Sequence, residues 1–198
     1  MNVLVAGATG KTGIRLVHEL ASRGHHPIAL VRDTSDTSSL PADTQLRRGD
    51  LTDLDDDVCE GCEAVVFAAG SGGSTGPEMT DAVDRDGARR LIDLAVKSNV
   101  RRFVMLSSIG AGNPDPDSDL AHYLQAKHDA DEHLKASGLT YAILRPVSLT
   151  EEDGTRDMRF GDDVEADAEA ARGDVASVLA DAVDADRWAD TVLRMQST

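Results

Sequence analysis

The chain opens MNVLVAGATGKTGIRLVHEL, and one arrangement within it limits the fold more than anything else in the sequence. An apolar run at residues 2–6 leads without a break into Gly7, Gly10 and Gly13, spaced G-x-x-G-x-x-G, and an amphipathic segment starts at Lys11. A strand, a glycine turn and a helix in that order open a βαβ unit whose free backbone N–H groups can receive a pyrophosphate. Gly7 permits the tight turn, Gly10 lets the backbone approach phosphate, and Gly13 lets the helix pack on the strand. Thr9, Lys11 and Thr12 fill the rest of the loop and are candidate contacts for the same ligand.

Apolar runs rich in Val, Leu and Ile recur as PIALV (27–31), AVVFAA (64–69), RFVMLS (102–107) and YAILR (141–145). Such runs suit strands buried on both faces of a parallel sheet. Helix-like segments lie between them at 11–23, 81–98 and 118–137, with a shorter one near 53–58. In the second of these, Ala88, Leu91, Ile92, Ala95 and Val96 keep the i, i+3, i+4 spacing of one apolar face. Strand alternating with helix predicts a doubly wound, Rossmann-like α/β fold. TQLRRGD (44–50) supplies a third strand, giving a six-stranded sheet with its switch point beside the first.

After Pro146 the chain reads as polar and irregular until Gly173, then as a helix through Ala182 and a last strand TVLRM. No repeat or linker interrupts it, so residues 1–198 read as a single domain in which 147–198 form the substrate side. Two loops, 70–77 and 110–117, are rich in turn residues and fall at carboxyl ends of strands, where such folds bind ligands.

Lys and Arg number 20 against 36 Asp and Glu, a net charge of −16, which disfavours nucleic acid or an anionic membrane as partner. The acidity is skewed: 27 Asp stand against 9 Glu, and 16 Arg against 4 Lys. That balance, spread along the whole chain, resembles proteins that work in molar salt, because short carboxylates hold water and cations at a crowded surface. No apolar stretch is long enough to span a bilayer and no basic leader precedes the first strand, so a soluble cytoplasmic protein is expected. Cys59 and Cys62 form a lone C-x-x-C without the further Cys or paired His that a zinc site requires; free thiols in a turn, and no metal site, are expected.

At the end of the second strand the chain reads LVRD. Arg32 stands where an NAD-binding protein usually offers an acid to the ribose hydroxyls, and a guanidinium there favours a 2′-phosphate. NADP over NAD is therefore expected, with Lys11 as a second charge and the adjacent Asp33 pulling the other way.

With GATGKTG, LVRD, RRGDLTD and AVVFAAG in order, the chain resembles a short-chain dehydrogenase/reductase of the atypical kind, close to the NmrA-like and NAD(P)-dependent epimerase groups. The resemblance covers nearly the whole length. It implies that Asp50 reads the adenine with Leu51 beside it, and that Ala68, Ala69 and Gly70 line the adenine ribose. It also implies an active-site tetrad of Asn, Ser, Tyr and Lys, kept here as Ser108, Tyr123 and Lys127, with Asp84 in the Asn position. Lys127 would also serve the nicotinamide ribose. The resemblance implies Pro146 as a cofactor contact, but relatives carry Arg-Pro-Gly after the sixth strand where this chain has Arg145, Pro146 and Val147, so the backbone near the nicotinamide is expected to sit differently.

The Y-x-x-x-K spacing has a physical content of its own. Residues four apart share a helix face, so the Lys127 ammonium can lie near the Tyr123 hydroxyl and stabilise its phenolate. Such a tyrosine can protonate a substrate carbonyl as hydride arrives, with Ser108 holding the same oxygen. His122, His128 and His133 nearby read as surface or packing residues. An NADP(H)-dependent oxidoreductase acting on a small carbonyl or quinone-like acceptor is the expected function. A non-enzymatic dinucleotide sensor with a protein partner is the alternative, suggested by Asp84. A sugar-nucleotide epimerase or dehydratase stands third, because about fifty residues after Pro146 leave little room for a substrate domain.

Overall fold

The computed structural model describes residues 1–72 and 75–198. The tip of the Gly- and Ser-rich loop expected at 70–77, residues 73 and 74, lies outside the described residues. Each apolar run becomes a strand: β1 (Asn2–Ala6), β2 (His26–Val31), β4 (Ala64–Phe67), β5 (Arg102–Leu106) and β6 (Thr140–Pro146), with β3 (Gln45–Arg48) from the TQLRRGD segment. These six are parallel in the order β3-β2-β1-β4-β5-β6, so the strand order reverses between β1 and β4. That reversal opens a crevice at the carboxyl ends of the two strands, and GATGKTG lies directly after one of them.

Alternation along β1 shows how the sheet builds two cores. Val3 and Val5 face one layer with Leu16, Val17 and Leu20 of α1 (Lys11–Ser22) and Val175 and Leu179 of α5 (Arg172–Asp181). Leu4 and Ala6 face the other, with Phe67, Phe103, Leu91 and Ile92 of α3 (Ala88–Lys97), and Leu134 of α4 (Ala121–Ala136). Each of these large side chains, fully buried, contributes roughly 1.5–3 kcal/mol relative to exposure.

The sheet has eight strands rather than six. β10 (Thr191–Ser197) adds parallel to β6, with Thr191 opposite Ala142, and β8 (Met158–Phe160) adds antiparallel to β10. A separate two-stranded sheet joins β7 (Ser148–Thr150) to β9 (Glu169–Ala171). The segment expected to be irregular thus holds three short strands, each of three residues, too short for periodicity to announce.

Three local expectations change. Residues 53–58 are not a helix: Asp53 makes an isolated bridge with Asp50, and turns follow over 56–61, where the Val58 N–H donates to the Asp55 carbonyl and the Glu60 N–H to the Asp57 carbonyl. Asp side chains compete with the backbone for hydrogen bonds and favour turns over helix interiors. Val96 is 43% exposed, and the buried positions of α3 include Leu94 instead. The 81–98 helix begins earlier, as α2 (Pro77–Met79), then widens into a π-helical stretch, Thr80–Gly87, before α3. Such local widening is common at functional sites, and here it carries Thr80, Asp84 and Gly87 into the interior.

Candidate functional site

A cleft of two lobes runs across the carboxyl ends of β1 and β4. The smaller, about 370 Å³, is lined by Gly7, Thr9, Gly10, Arg32, Asp50 and Leu51 among others. The larger, about 620 Å³, is lined by Lys11, Thr12, Ser107, Tyr123, Lys127, Arg172 and others. Gly10, Ala68, Ala69, Gly70 and Ser71 line both, so the two lobes are continuous. Of the residues expected around a dinucleotide, Gly13 and Pro146 do not line the cleft; of the expected tetrad, Ser108 and Asp84 do not.

Two glycines of the loop are dictated by geometry. Gly7 has φ +82°, and a Cβ on it would lie 2.6 Å from the Ala69 nitrogen, so only glycine lets β1 turn while pressed against the end of β4. A Cβ on Gly13 would lie 2.0 Å from the Gly7 carbonyl oxygen, which holds α1 against the turn. Gly10, the N-cap of α1, offers no side-chain cap, so the first N–H groups of the helix stay open to the cleft. An uncapped helix start at a switch point, reached over bare glycine, fits a pyrophosphate.

At the far end of the smaller lobe Arg32 is exposed, and its guanidinium forms no ion pair among the described residues. Asp33, which could have reversed its effect, is turned toward Arg48, 3.6 Å away. Asp50 serves the loop as well as the cleft: its Oδ1 accepts from the Thr52 N–H at 2.9 Å and the Thr52 hydroxyl at 2.8 Å. Those two bonds hold its carboxyl below the ordinary value.

In the larger lobe Tyr123 is half-buried on the first turn of α4, and the Lys127 ammonium lies 5.8 Å from its ring centroid. Lys127 is 3% exposed and Asp84 is 0%. Its Nζ is 3.0 Å from Asp84 Oδ1 and 3.4 Å from the carbonyl oxygens of Ala69 and Leu106. Asp84 Oδ2 accepts the Ser71 N–H at 2.9 Å. Burial opposes the ammonium, but Tyr123, Asp84 and Asp131 outweigh it and hold the Lys127 pKa above its ordinary value. The spacing argument that paired Lys127 with Tyr123 therefore has a third member, since the lysine is anchored on Asp84 while standing beside the ring.

Ser108, half-buried, points its hydroxyl toward the Ile109 carbonyl at 3.3 Å. Ser107 lines the cleft, and its Oγ donates to Asp131 Oδ2 at 2.8 Å. Arg145 closes on that same Oδ2 from Nε at 3.0 Å and Nη2 at 2.9 Å. Asp131 is fully buried; burial pushes its carboxyl upward, with Arg145 and Ser107 pulling the other way. The Ser107, Asp131 and Arg145 cluster was missed because Asp131 sits in the charged run HDADEH, which reads as a solvated face. His122 lines the cleft mouth, 2.9 Å from Asp81, whereas His128 and His133 bond the Ala111 carbonyl and Asp93. Cys59 and Cys62 are free and buried, away from the cleft; burial pushes the Cys59 thiol up to about 12. No helix among the described residues is long and apolar enough to cross a membrane.

A Rossmann sheet, a glycine turn at its switch point and a continuous two-lobed cleft define a dinucleotide-binding protein, and the chain belongs to the NAD(P)H-binding family, whose model matches residues 7–186. It is 38% identical over 190 residues to the uncharacterized sugar epimerase YhfK of Bacillus subtilis, covering 93% of this chain and 88% of that one. A solved structure from Bacillus halodurans, described as an NAD-dependent epimerase/dehydratase, superposes with a TM-score of 0.94 at 36% identity, covering 100% of this chain and 94% of the other. The oxidoreductase ylbE of Lactococcus lactis gives a TM-score of 0.87 at 28% identity, covering 100% and 91%. The chain is thus an NAD(P)-binding protein of an oxidoreductase- and epimerase-like family.

Proposed function

We propose that the protein is an NADP(H)-dependent reductase of a small carbonyl or quinone-like acceptor. One observation carries the reading: a single cleft has at one end an arginine with no ion pair among the described residues and at the other a tyrosine backed by a buried ammonium. Arg32 would take the 2′-phosphate through charge-assisted hydrogen bonds, with Asp33 already engaged by Arg48. The loop N–H groups at the start of α1 would take the pyrophosphate.

When bound, the dinucleotide supplies the hydride. Tyr123 donates its hydroxyl proton to the acceptor oxygen, and the Lys127 charge beside the ring stabilises the phenolate left behind. Asp84 fixes that charge in place and keeps it protonated. Ser108 or its neighbour Ser107 would steady the acceptor oxygen; Ser107 is the one on the cleft wall. The apolar part of the larger lobe, with Pro77, Leu106, Leu120 and Leu149, suits an uncharged acceptor better than a polar sugar.

The test is NADPH consumption with a panel of aldehydes, ketones and quinones, run from dilute buffer to molar KCl. Tyr123→Phe should lower turnover by ~100-fold or more while leaving cofactor affinity intact. Full activity in that variant would remove Tyr123 from the chemistry. A second reading, a dinucleotide sensor that signals to a protein partner, draws on the contacts of Lys127, which among the described residues pairs with Asp84 and donates to main-chain carbonyls and not to the Tyr123 hydroxyl. NADPH binding without turnover of any acceptor would put that reading first. The names of the relatives favour an epimerase, which a nucleotide-sugar titration would reveal.

A further inference from the structure

Two helices begin at the edge of the larger lobe, and each begins with a cation. Lys11 is the first residue of α1, and Arg172 the first of α5. A positive side chain at a helix start is electrostatically unfavourable, because the peptide dipoles already make that end positive. Neither N-cap, Gly10 nor Ala171, supplies a side-chain cap. The Asp174 carboxylate in the first turn of α5 is fully buried and spent on the Arg156 N–H at 2.9 Å and the Ser197 hydroxyl at 2.7 Å. The Gly173 N–H at the start of α5 is likewise taken, by the Glu152 carbonyl at 3.1 Å, so it is the two cations, beside the open start of α1, that concentrate positive charge at one place in a chain whose net charge is −16.

That place holds a carboxylate. Glu151 Oε1 lies 2.8 Å from Lys11 Nζ and 3.2 Å from Arg172 Nε. Arg172 is further tied to the phosphate loop by Nη1, which donates to Thr12 Oγ1 at 2.9 Å. The guanidinium, one-fifth exposed, is thus fixed against the second residue of α1 and faces the cleft that Gly10 and Thr12 also line. Lys11 and then Arg172 hold the Glu151 carboxyl below its ordinary value, as expected for an anion in a cationic seat. Glu151 itself is more than half exposed, so leaving costs it little desolvation.

We propose that Lys11 and Arg172, the first residues of α1 and α5, form with the open start of α1 an anion clamp for the pyrophosphate of the dinucleotide, with Arg172 as its charge from the carboxyl-terminal segment and Glu151 as the anion displaced on binding. The inference rests on the dinucleotide reading of this cleft and adds a phosphate contact that the glycine loop alone does not provide. It also gives the 147–198 segment a part in cofactor binding, besides its place at the substrate.

Calorimetric titration of the full chain with NADPH, ADP-ribose and 2′-AMP tests it; the first two carry a pyrophosphate and the third does not. Arg172→Gln should weaken NADPH and ADP-ribose by about tenfold or more and leave 2′-AMP within twofold, the scale of one lost charge-assisted bond. Glu151→Gln should tighten NADPH by about threefold in dilute buffer, an advantage that molar KCl removes. Unchanged ADP-ribose affinity in Arg172→Gln overturns the clamp, whatever the variant does to an anionic acceptor. So does an equal loss for all three ligands, which would mark a general disturbance of the fold. A weaker grip on NADPH in Glu151→Gln overturns the displacement, because the carboxylate would then be organising the arginine. If the native protein binds no NADPH, the underlying reading falls and the clamp with it; native binding with an indifferent Arg172→Gln removes the clamp alone.

Discussion

Asp84→Asn isolates the energetic core of the site. The substitution keeps the shape of the side chain and an oxygen for the Ser71 N–H, but it takes from the Lys127 ammonium, 3% exposed, the carboxylate that pairs with it at 3.0 Å. Removing one member of a buried ion pair costs about 3–5 kcal/mol, because the remaining charge stays desolvated. In a chain of this size ~1 kcal/mol moves the melting temperature by roughly 2–4 °C, so a fall of roughly 6–20 °C is expected. The pH dependence identifies the cause. In the native protein the Lys127 pKa is raised above its ordinary 10.5, so the stability it contributes is fully present below that value and is lost only as pH rises through the folded pKa. In Asp84→Asn the raising influence of that carboxylate is lost while burial stays, so the Lys127 pKa should fall relative to the native protein and the variant should regain stability as alkaline pH removes the proton, narrowing its gap to the native protein. The double variant Asp84→Asn with Lys127→Met should be more stable than Asp84→Asn alone, since no charge is left buried. Guanidinium and thermal unfolding at pH 7 and pH 9.5 measure all three. A loss under ~1 kcal/mol, or a double variant no more stable than Asp84→Asn, would refute the account.

Three further outcomes are expected. Arg32→Asp should reduce the preference for NADP(H) over NAD(H) by ~1–3 kcal/mol, the worth of a charge-assisted bond to phosphate, and equal calorimetric affinities in the native protein would remove the assignment. With −16 charges, the melting temperature should rise from ~0.1 M to ~3 M KCl as the Debye length shrinks from ~10 Å to below ~3 Å; a flat or falling trend would leave the acidity as ordinary solubility charge. Cys59 and Cys62, buried and with thiols pushed upward, should resist a thiol reagent at pH 8 and react fully only in denaturant, and fast labelling of the native protein would contradict their burial.

The parts of the fold that sequence made legible are those whose pattern is long or sterically strict. Five strands were apolar on both faces, and Gly7 and Gly13 occupy positions that no side chain can share. What it hid follows from short range and from pairing. β8 is three residues long and exists because β10 offers it an edge, information that lies 35 to 39 residues away in the chain. The π-helical stretch leaves no mark because its residues also suit an α-helix, yet the widening takes Asp84 fully into the interior. Helical spacing places Lys127 on the face of Tyr123, whose ring centroid is 5.8 Å from the ammonium, but spacing along one helix cannot report a partner on another, and Asp84 is that partner. Ser107 and Ser108 differ by one position at the end of β5, where neighbouring side chains diverge, so a motif of two serines could not say which one meets the cleft.

The charge of the molecule and the charge of its ligand set a problem that the site resolves locally. A surface at −16 repels a polyanionic dinucleotide over any distance that salt does not screen. Binding must then come from contacts shorter than the Debye length, which stays near ~3 Å even at 1 M salt. The cleft is arranged that way. Lys11, Arg32, Lys127 and Arg172 all line it, so two of the chain's four lysines and two of its arginines meet in the one cleft. The open N–H groups of α1 add hydrogen bonds that act at contact and are little screened by bulk salt. Molar salt would weaken the long-range repulsion more than these contacts. Cofactor affinity in this protein should therefore hold or improve with KCl, where a site relying on long-range attraction would lose it.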